Sequence, residues 1–203
     1  DAVRGRIGVA LQEAGLDPRQ TGRELLVLHG ELFGLTVHKR SESKEFGFKN
    51  AILPLGAGRL TRDRFPDGVP SDAQYEEARL FVRQQIAASV GPLRRGGGFD
   101  HAVATSKTFR SLARLCGAAP SQDGTYVRRV VERDVLAAHL EELRTMPVSE
   151  IAQRPGVSAN RAHQMVAGAV IADAVMDLFD LPALEICPWA LREGVLLERH
   201  DHM

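Results

Sequence analysis

The chain has 203 residues, enough for one substantial core or two small lobes, and its 26 Lys and Arg balance 26 Asp and Glu. That neutrality excludes a global field drawing the protein onto nucleic acid or an acidic membrane. With 44% hydrophobic but only 5% aromatic residues, the core must be built from Leu, Val, Ile and Ala. Cys116 and Cys187 form no CxxC pair and read as free thiols of a reducing, cytoplasmic compartment, with a single disulfide as the alternative. Asp1 to Gly15 carries scattered charges and no signal-peptide core. The longest apolar tract, Met165 to Phe179, is too short to span a membrane and contains Asp173 and Asp177.

In chain order, Val3, Ile7, Leu11 and Ala14 recur at helical spacing, which predicts a helix over 2–15 closed by Gly15. Glu24 to Leu28 and Leu32 to Val37 read as two strands of a hairpin turning at His29-Gly30. Ala51 to Leu55 reads as a third strand, with Pro54 marking a sheet edge or strand end. Gly56-Ala57-Gly58-Arg59 reads as a flexible turn whose glycines permit close approach of a ligand to the backbone. Ser71 then caps a helix with the stripe Tyr75, Ala78, Val82 and Ile86. Arg94 to Gly98 reads as a solvated linker.

The stretch with most chemistry runs from Ala102 to Leu115. A short apolar strand (Ala102 to Ala104) leads through Thr105-Ser106-Lys107-Thr108 into a helix whose inner face is Phe109, Leu112 and Leu115 or Cys116. Thr105 or Ser106 can cap that helix, leaving free backbone N–H groups, hydroxyls and the Lys107 ammonium around one spot. That is the chemistry of a phosphate cradle. Cap preference alone would also put Ser or Thr at such a junction. A Walker A loop is excluded, because Lys107-Thr108 would need Gly where the chain has His101 and Ser106.

Beyond Gly117 a loop from Pro120 to Gly124 leads into a predicted helix over Val127 to Leu143. Ala159 to Phe179 reads as a long helix, where Gly168 marks a tight crossing against a neighbour. Leu184 to Cys187 is a last strand and Leu191 to Glu198 a last helix, before a solvated His200-Asp201-His202 tail. Met146 to Arg161 has the look of a helix-turn-helix, with Ile151-Ala152, the Gly156-Val157-Ser158 turn and polar Asn160, Arg161, His163 and Gln164 beyond it. Zero net charge and the apolar continuation from Val166 to Phe179 argue against DNA binding.

Four ordered runs carry a family likeness: Leu53 to Arg62, Ala102 to Ala113, Asn160-Arg161-Ala162 with Val166 to Ala169, and Glu185 to Gly194. Together they resemble the exopolyphosphatase / guanosine pentaphosphate phosphohydrolase (Ppx/GppA) family in its actinobacterial form, over about residues 51 to 199. The resemblance implies an α/β fold, one lobe of the two-lobed actin/Hsp70/sugar-kinase-like (ribonuclease H-like) architecture, with a mixed sheet of about five strands and flanking helices. On that scheme residues 1–22 are an N-terminal helical segment and 23–203 the second lobe, with its hairpin at 24–37 and a helical insertion at about 125–158.

The implied activity is hydrolysis of phosphoanhydrides, releasing terminal phosphate from polyphosphate or guanosine pentaphosphate with Mg²⁺ as cofactor. The implied phosphate-binding residues are Thr105, Ser106, Lys107, Thr108, Gly56, Gly58, Arg59 and Arg110. The family's second lobe opens on Asp-Ile-Gly-Gly-Gly-Ser, but this chain has Leu28-His29-Gly30-Glu31-Leu32-Phe33-Gly34 at that place, with Glu31 its only nearby carboxylate. The family's first lobe, with the general-base glutamate, has no counterpart here. The expectation is an incomplete or impaired hydrolase, a non-catalytic polyphosphate- or nucleotide-binding lobe, or half of an enzyme completed by a first-lobe chain or a second copy.

Overall fold

The computed structural model describes residues 5–10 (as backbone), 53–94 and 99–188. Apart from Pro188 they fall in one of two compact units of the chain, Asp1–Glu13 with Asn50–Cys187. The expected hairpin at 24–37 with Glu31, the linker glycines at 96–98 and the last helix at 191–198 lie outside the described residues.

The elements are β1 (Gly5–Ala10), α1 (Ala57–Arg64), α2 (Asp72–Arg94), β2 (Phe99–Thr105), α3 (Lys107–Leu115), β3 (Val130–Glu132), α4 (Arg133–Leu143), α5 (Val148–Ile151), α6 (Met165–Leu178) and β4 (Ala183–Ile186). Among the described residues the sheet has four strands in the order β1-β2-β4-β3, where about five are expected. β1 pairs parallel with β2 (Ile7 opposite Ala102) and β2 parallel with β4 (Ala104 opposite Ile186). β3 closes the other side antiparallel to β4, with Val131 opposite Leu184, so the sheet is mixed. Ala104, Val131, Leu184 and Ile186 are buried on one face, which meets α3.

Three expectations are corrected. Residues 5–10 form a strand, not part of a helix over 2–15, because their backbone bonds go to β2, far along the chain. Tertiary pairing overrides the four-residue spacing of Val3, Ile7 and Leu11. Leu53 to Leu55 is irregular chain rather than the end of a third strand, and it leads straight into α1. The Gly56-Ala57-Gly58-Arg59 run is no flexible turn: Gly56 is extended and α1 begins at Ala57. Burying Ala57, Leu60 and Thr61 at helical spacing outweighs the roughly 1 kcal/mol that a glycine costs a helix.

Other boundaries follow local chemistry. Ser71 Oγ accepts from the Gln74 N–H (3.3 Å) and the Gln74 side chain accepts from the Ser71 N–H (2.9 Å), a reciprocal capping box opening α2. α2 buries the predicted stripe Tyr75, Ala78, Val82 and Ile86. It continues to Arg94 with Pro92 inside its last turn. The predicted helix over Val127 to Leu143 divides into β3 and α4, since Val131 pairs in the sheet before the helical spacing of Leu136, Leu140 and Leu143 takes over.

α6 is the central element. Met165 to Ala172 and Ala174 to Met176 are all buried, with α1, α2, α3 and α4 packed around them. A helix buried along almost its whole length, with only Asp173, Asp177 and Leu178 left partly open, belongs in the core, which argues against the helix-turn-helix reading. Asn160, Arg161, His163 and Gln164 sit in a 3₁₀ turn (Ala159–Gln164), and the would-be recognition helix is packed among four others. Among the described residues no helix is long and apolar enough to cross a membrane.

Candidate functional site

α3 is built as the sequence suggests. Of the two candidate caps, Ser106 takes the place: its Oγ accepts from the Phe109 N–H at 3.1 Å, and Thr105 remains the half-buried last residue of β2. Phe109, Leu112 and Leu115 turn inward, and Cys116 is half-buried. The helix closes in a Schellman motif, with Gly117 N–H on the Arg114 carbonyl (3.2 Å) and Ala118 N–H on the Ala113 carbonyl (2.8 Å). Gly117 has a φ of +88°, a conformation glycine takes at no steric cost. Ser111 Oγ donates to the Gly156 carbonyl at 2.8 Å, tying the middle of α3 to the turn before the 3₁₀ segment. The helix is therefore held at its start, middle and end.

The start of α1 lies against the same point of α6. A Cβ on Gly168 would stand 2.5 Å from Thr108 Cγ2 and 3.6 Å from Ala57 Cβ. Thr108 is the second residue of α3 and Ala57 the first of α1, so the first turns of both helices rest on one position of α6. The tight crossing expected at Gly168 is thus present, and it joins two turns that stand far apart in the sequence. Each helix start carries the positive end of a backbone dipole. Neither has an acidic residue in its first turn, and no side chain caps α1.

Around these starts, Ser106 and Thr108 are buried, Gly56 is buried and Gly58 half-buried. Lys107, Arg59 and Arg110 are exposed and make no ion pair among the described residues. The phosphate-binding set expected from sequence is therefore brought to two adjoining helix starts, with the cations on the outside. Sequence reasoning misses Ala57, because the Gly-Ala-Gly run reads as a turn; the spacing Ala57, Leu60, Thr61 is the available signal. A groove of about 540 Å³ runs from Gly58 along α1 past Thr61, Phe65 and Pro66 to His163 and Gln164.

A second groove, of about 270 Å³, lies between α2, α4 and α6 and belongs to a charge network rather than to this site. Asp177 accepts from Arg83 at 2.6 Å and from Arg133, and those guanidiniums hold its carboxyl below the usual range. Asp173 stands one turn away, its carboxyl pushed up by burial. From Gly168 to Asp177 is about 13 Å along α6.

The site supplies N–H groups, hydroxyls and cations, with no carboxylate at either helix start. Among the described residues no group of three or more His, Cys, Asp or Glu side chains could hold a metal ion. These residues do not fit the Mg²⁺ that the resemblance implies.

The model of the Ppx/GppA phosphatase family matches residues 46–202. The chain belongs to that family. Exopolyphosphatase 1 of Mycobacterium tuberculosis is 46% identical over 149 residues, 73% of this chain and 43% of the relative. The Mycobacterium leprae protein of the same name is 43% identical over 149 residues, 73% of this chain and 44% of its own length. This Ppx/GppA chain therefore spans less than half the length of the curated relatives it matches. Among solved structures, the Aquifex aeolicus Ppx/GppA family member superposes with a TM-score of 0.65 at 22% identity, covering 79% of this chain and 51% of that one. That likeness carries the fold: the α/β architecture with a mixed sheet, expected from four sequence runs, is that of the Ppx/GppA structures.

Proposed function

We propose that the paired starts of α1 and α3 bind the terminal phosphates of a linear polyphosphate or of a guanosine penta- or tetraphosphate. The chain would thus form the phosphate-holding part of an exopolyphosphatase-type hydrolase. The observation that carries this reading is the meeting of two helix starts, both free of acidic residues in the first turn, at Gly168. Like ends of two dipoles repel unless an anion lies between them, and backbone N–H groups of a helix start are ready donors to phosphate oxygens. Thr108 and Ala57 make the contact, with Thr105 and Ser106 just before it on one side and Gly56 and Gly58 flanking Ala57 on the other. Lys107, Arg59 and Arg110 add attraction from the rim.

Release of phosphate also needs an oriented water and neutralisation of the charge that develops on the transferred group. The described residues provide part of the second requirement, and for the first they place no carboxylate at either helix start. Glu31, the one carboxylate near the altered opening motif, lies outside them. Mg²⁺ and the missing base would come with a complementary first-lobe chain, or a second copy would complete the site. A cytoplasmic setting agrees with two free thiols, one of which, Cys116, burial pushes up to about 11 and keeps inert.

The test has two parts, both on the full chain. Long-chain polyphosphate binds saturably, and K107A weakens the affinity severalfold, since one charge-assisted contact is worth roughly 1.5–3 kcal/mol before screening by water. Unchanged affinity in K107A removes the cradle. Inorganic phosphate release with Mg²⁺ stays at background for the chain alone; release above background would make Glu31 the first residue to substitute. Steeply salt-dependent binding to duplex DNA in place of polyphosphate would overturn the reading altogether.

A further inference from the structure

α6 places a glycine where its own propensities call for alanine. It has Ala167, Ala169, Ala172 and Ala174 around Gly168, and a glycine inside a helix costs about 0.5–1 kcal/mol relative to alanine. The reason is space. A Cβ at this position would meet Thr108 Cγ2 at 2.5 Å, a separation that real Cβ atoms essentially never show, while Ala57 Cβ at 3.6 Å is in ordinary contact. We propose that Gly168 is a positioning residue: its missing side chain sets how closely the starts of α1 and α3 approach, and through that spacing the affinity of their shared anion position. This rests on the reading of that position as a phosphate site.

Relief of the contact cannot come cheaply from elsewhere. α3 is held by its buried Phe109 and Leu112, by the Ser111–Gly156 hydrogen bond and by the Schellman closure, so it does not slide freely. The residue that must give is Thr108 itself, within the first turn of α3. Moving it back to 3.4 Å, where ordinary contact begins, takes 0.9 Å from the present 2.5 Å. A displacement of that size separates donors that must converge on one phosphate, and hydrogen bonds weaken steeply with such errors. Thr108 Cβ, by contrast, would stand 3.9 Å from a Cβ on Gly168, so removing the Thr108 methyl alone would make room for an alanine.

The experiment is a double-mutant cycle on the full chain, comparing the parent, G168A, T108S and G168A/T108S. Polyphosphate affinity is titrated well below each variant's unfolding temperature, which is measured alongside. The expected result is that G168A weakens affinity at least tenfold in the parent background and less than threefold in the T108S background. An equal loss of affinity in both backgrounds, or none in the parent, overturns the proposal; a merely structural cost of the Thr108 contact would lower the unfolding temperature of G168A and leave its affinity unmoved. If G168A does not fold, a folded double variant with the affinity of T108S supports the proposal, and an unfolded or weaker-binding double variant overturns it. A parent chain that binds no polyphosphate overturns the phosphate reading first and this inference with it. Binding by the parent without the coupling overturns this inference alone.

Discussion

The guanidinium of Arg129 is buried without a carboxylate partner among the described residues, and four backbone carbonyls take its place. Its Nε donates to Ala119 (2.8 Å), one terminal nitrogen to Val127 (2.8 Å) and the other to Pro120 (2.6 Å) and Gly124 (3.0 Å). A planar fork with five donors can hold a loop in this way, whereas the compact ammonium of a lysine cannot reach four separated acceptors. R129A should lower stability by roughly 2–3 kcal/mol, because four loop carbonyls lose charged donors and the loop loses the buried side chain that gathers it. R129K should recover less than half of that. Urea unfolding midpoints decide it, and a lysine variant as stable as the parent would show that charge alone suffices. None of this was legible in the sequence, where Arg129 is one basic residue in a predicted helix; the signal is a burial that only the fold creates.

At the scale of elements, local chemistry was readable and long-range pairing was not. The caps at Ser71 and Ser106, the stripe of α2 and the closure at Gly117 are set within a few residues, and each sits where the sequence predicts. β1 and the three-residue β3 depend on partners distant in sequence, and the periodicity of their own residues points to helices. The candidate site divides the same way: the Thr105 to Thr108 turn was legible, but its meeting with α1 at Gly168 was not. Ser106 lets the two roles of a helix start be separated. S106A should cost about 1 kcal/mol of stability, the usual worth of a cap, with a modest loss of affinity. S106D can cap equally well but sets a carboxylate where phosphate is expected. It should keep stability closer to the parent and lose far more polyphosphate affinity than S106A. Equal affinity losses in the two variants would show that only the cap matters.

Across the whole unit, α2, α4 and α6 are fastened at the end of α6 away from Gly168 by a network of guanidiniums and carboxylates. Arg83 and Arg133 both pair with Asp177, while Asp173, one turn earlier, faces Arg133 and Arg79 without a hydrogen bond from either. Tyr75, pushed up to about 12 by burial, stays neutral beside them with Arg79 and Arg144 over its ring. The two aspartates act on stability with opposite signs. Asp177 titrates below its ordinary 3.8 in the folded protein, so its contribution is complete above that value and is lost as pH falls through the lowered one. Asp173 titrates above 3.8, mainly through burial, so ionising it costs stability as pH rises from there, and protonating it removes the cost. D177N should therefore be less stable than the parent at pH 7 and converge with it toward pH 3. D173N should be at least as stable as the parent at pH 7, with the difference vanishing as pH falls back to about 3.8, before that of D177N begins to close. Urea unfolding at half-unit steps from pH 3 to pH 7 reads both curves. A D173N chain clearly weaker at neutral pH would mean that attraction from Arg133 and Arg79 exceeds the burial cost, and the sign assigned to Asp173 would be reversed.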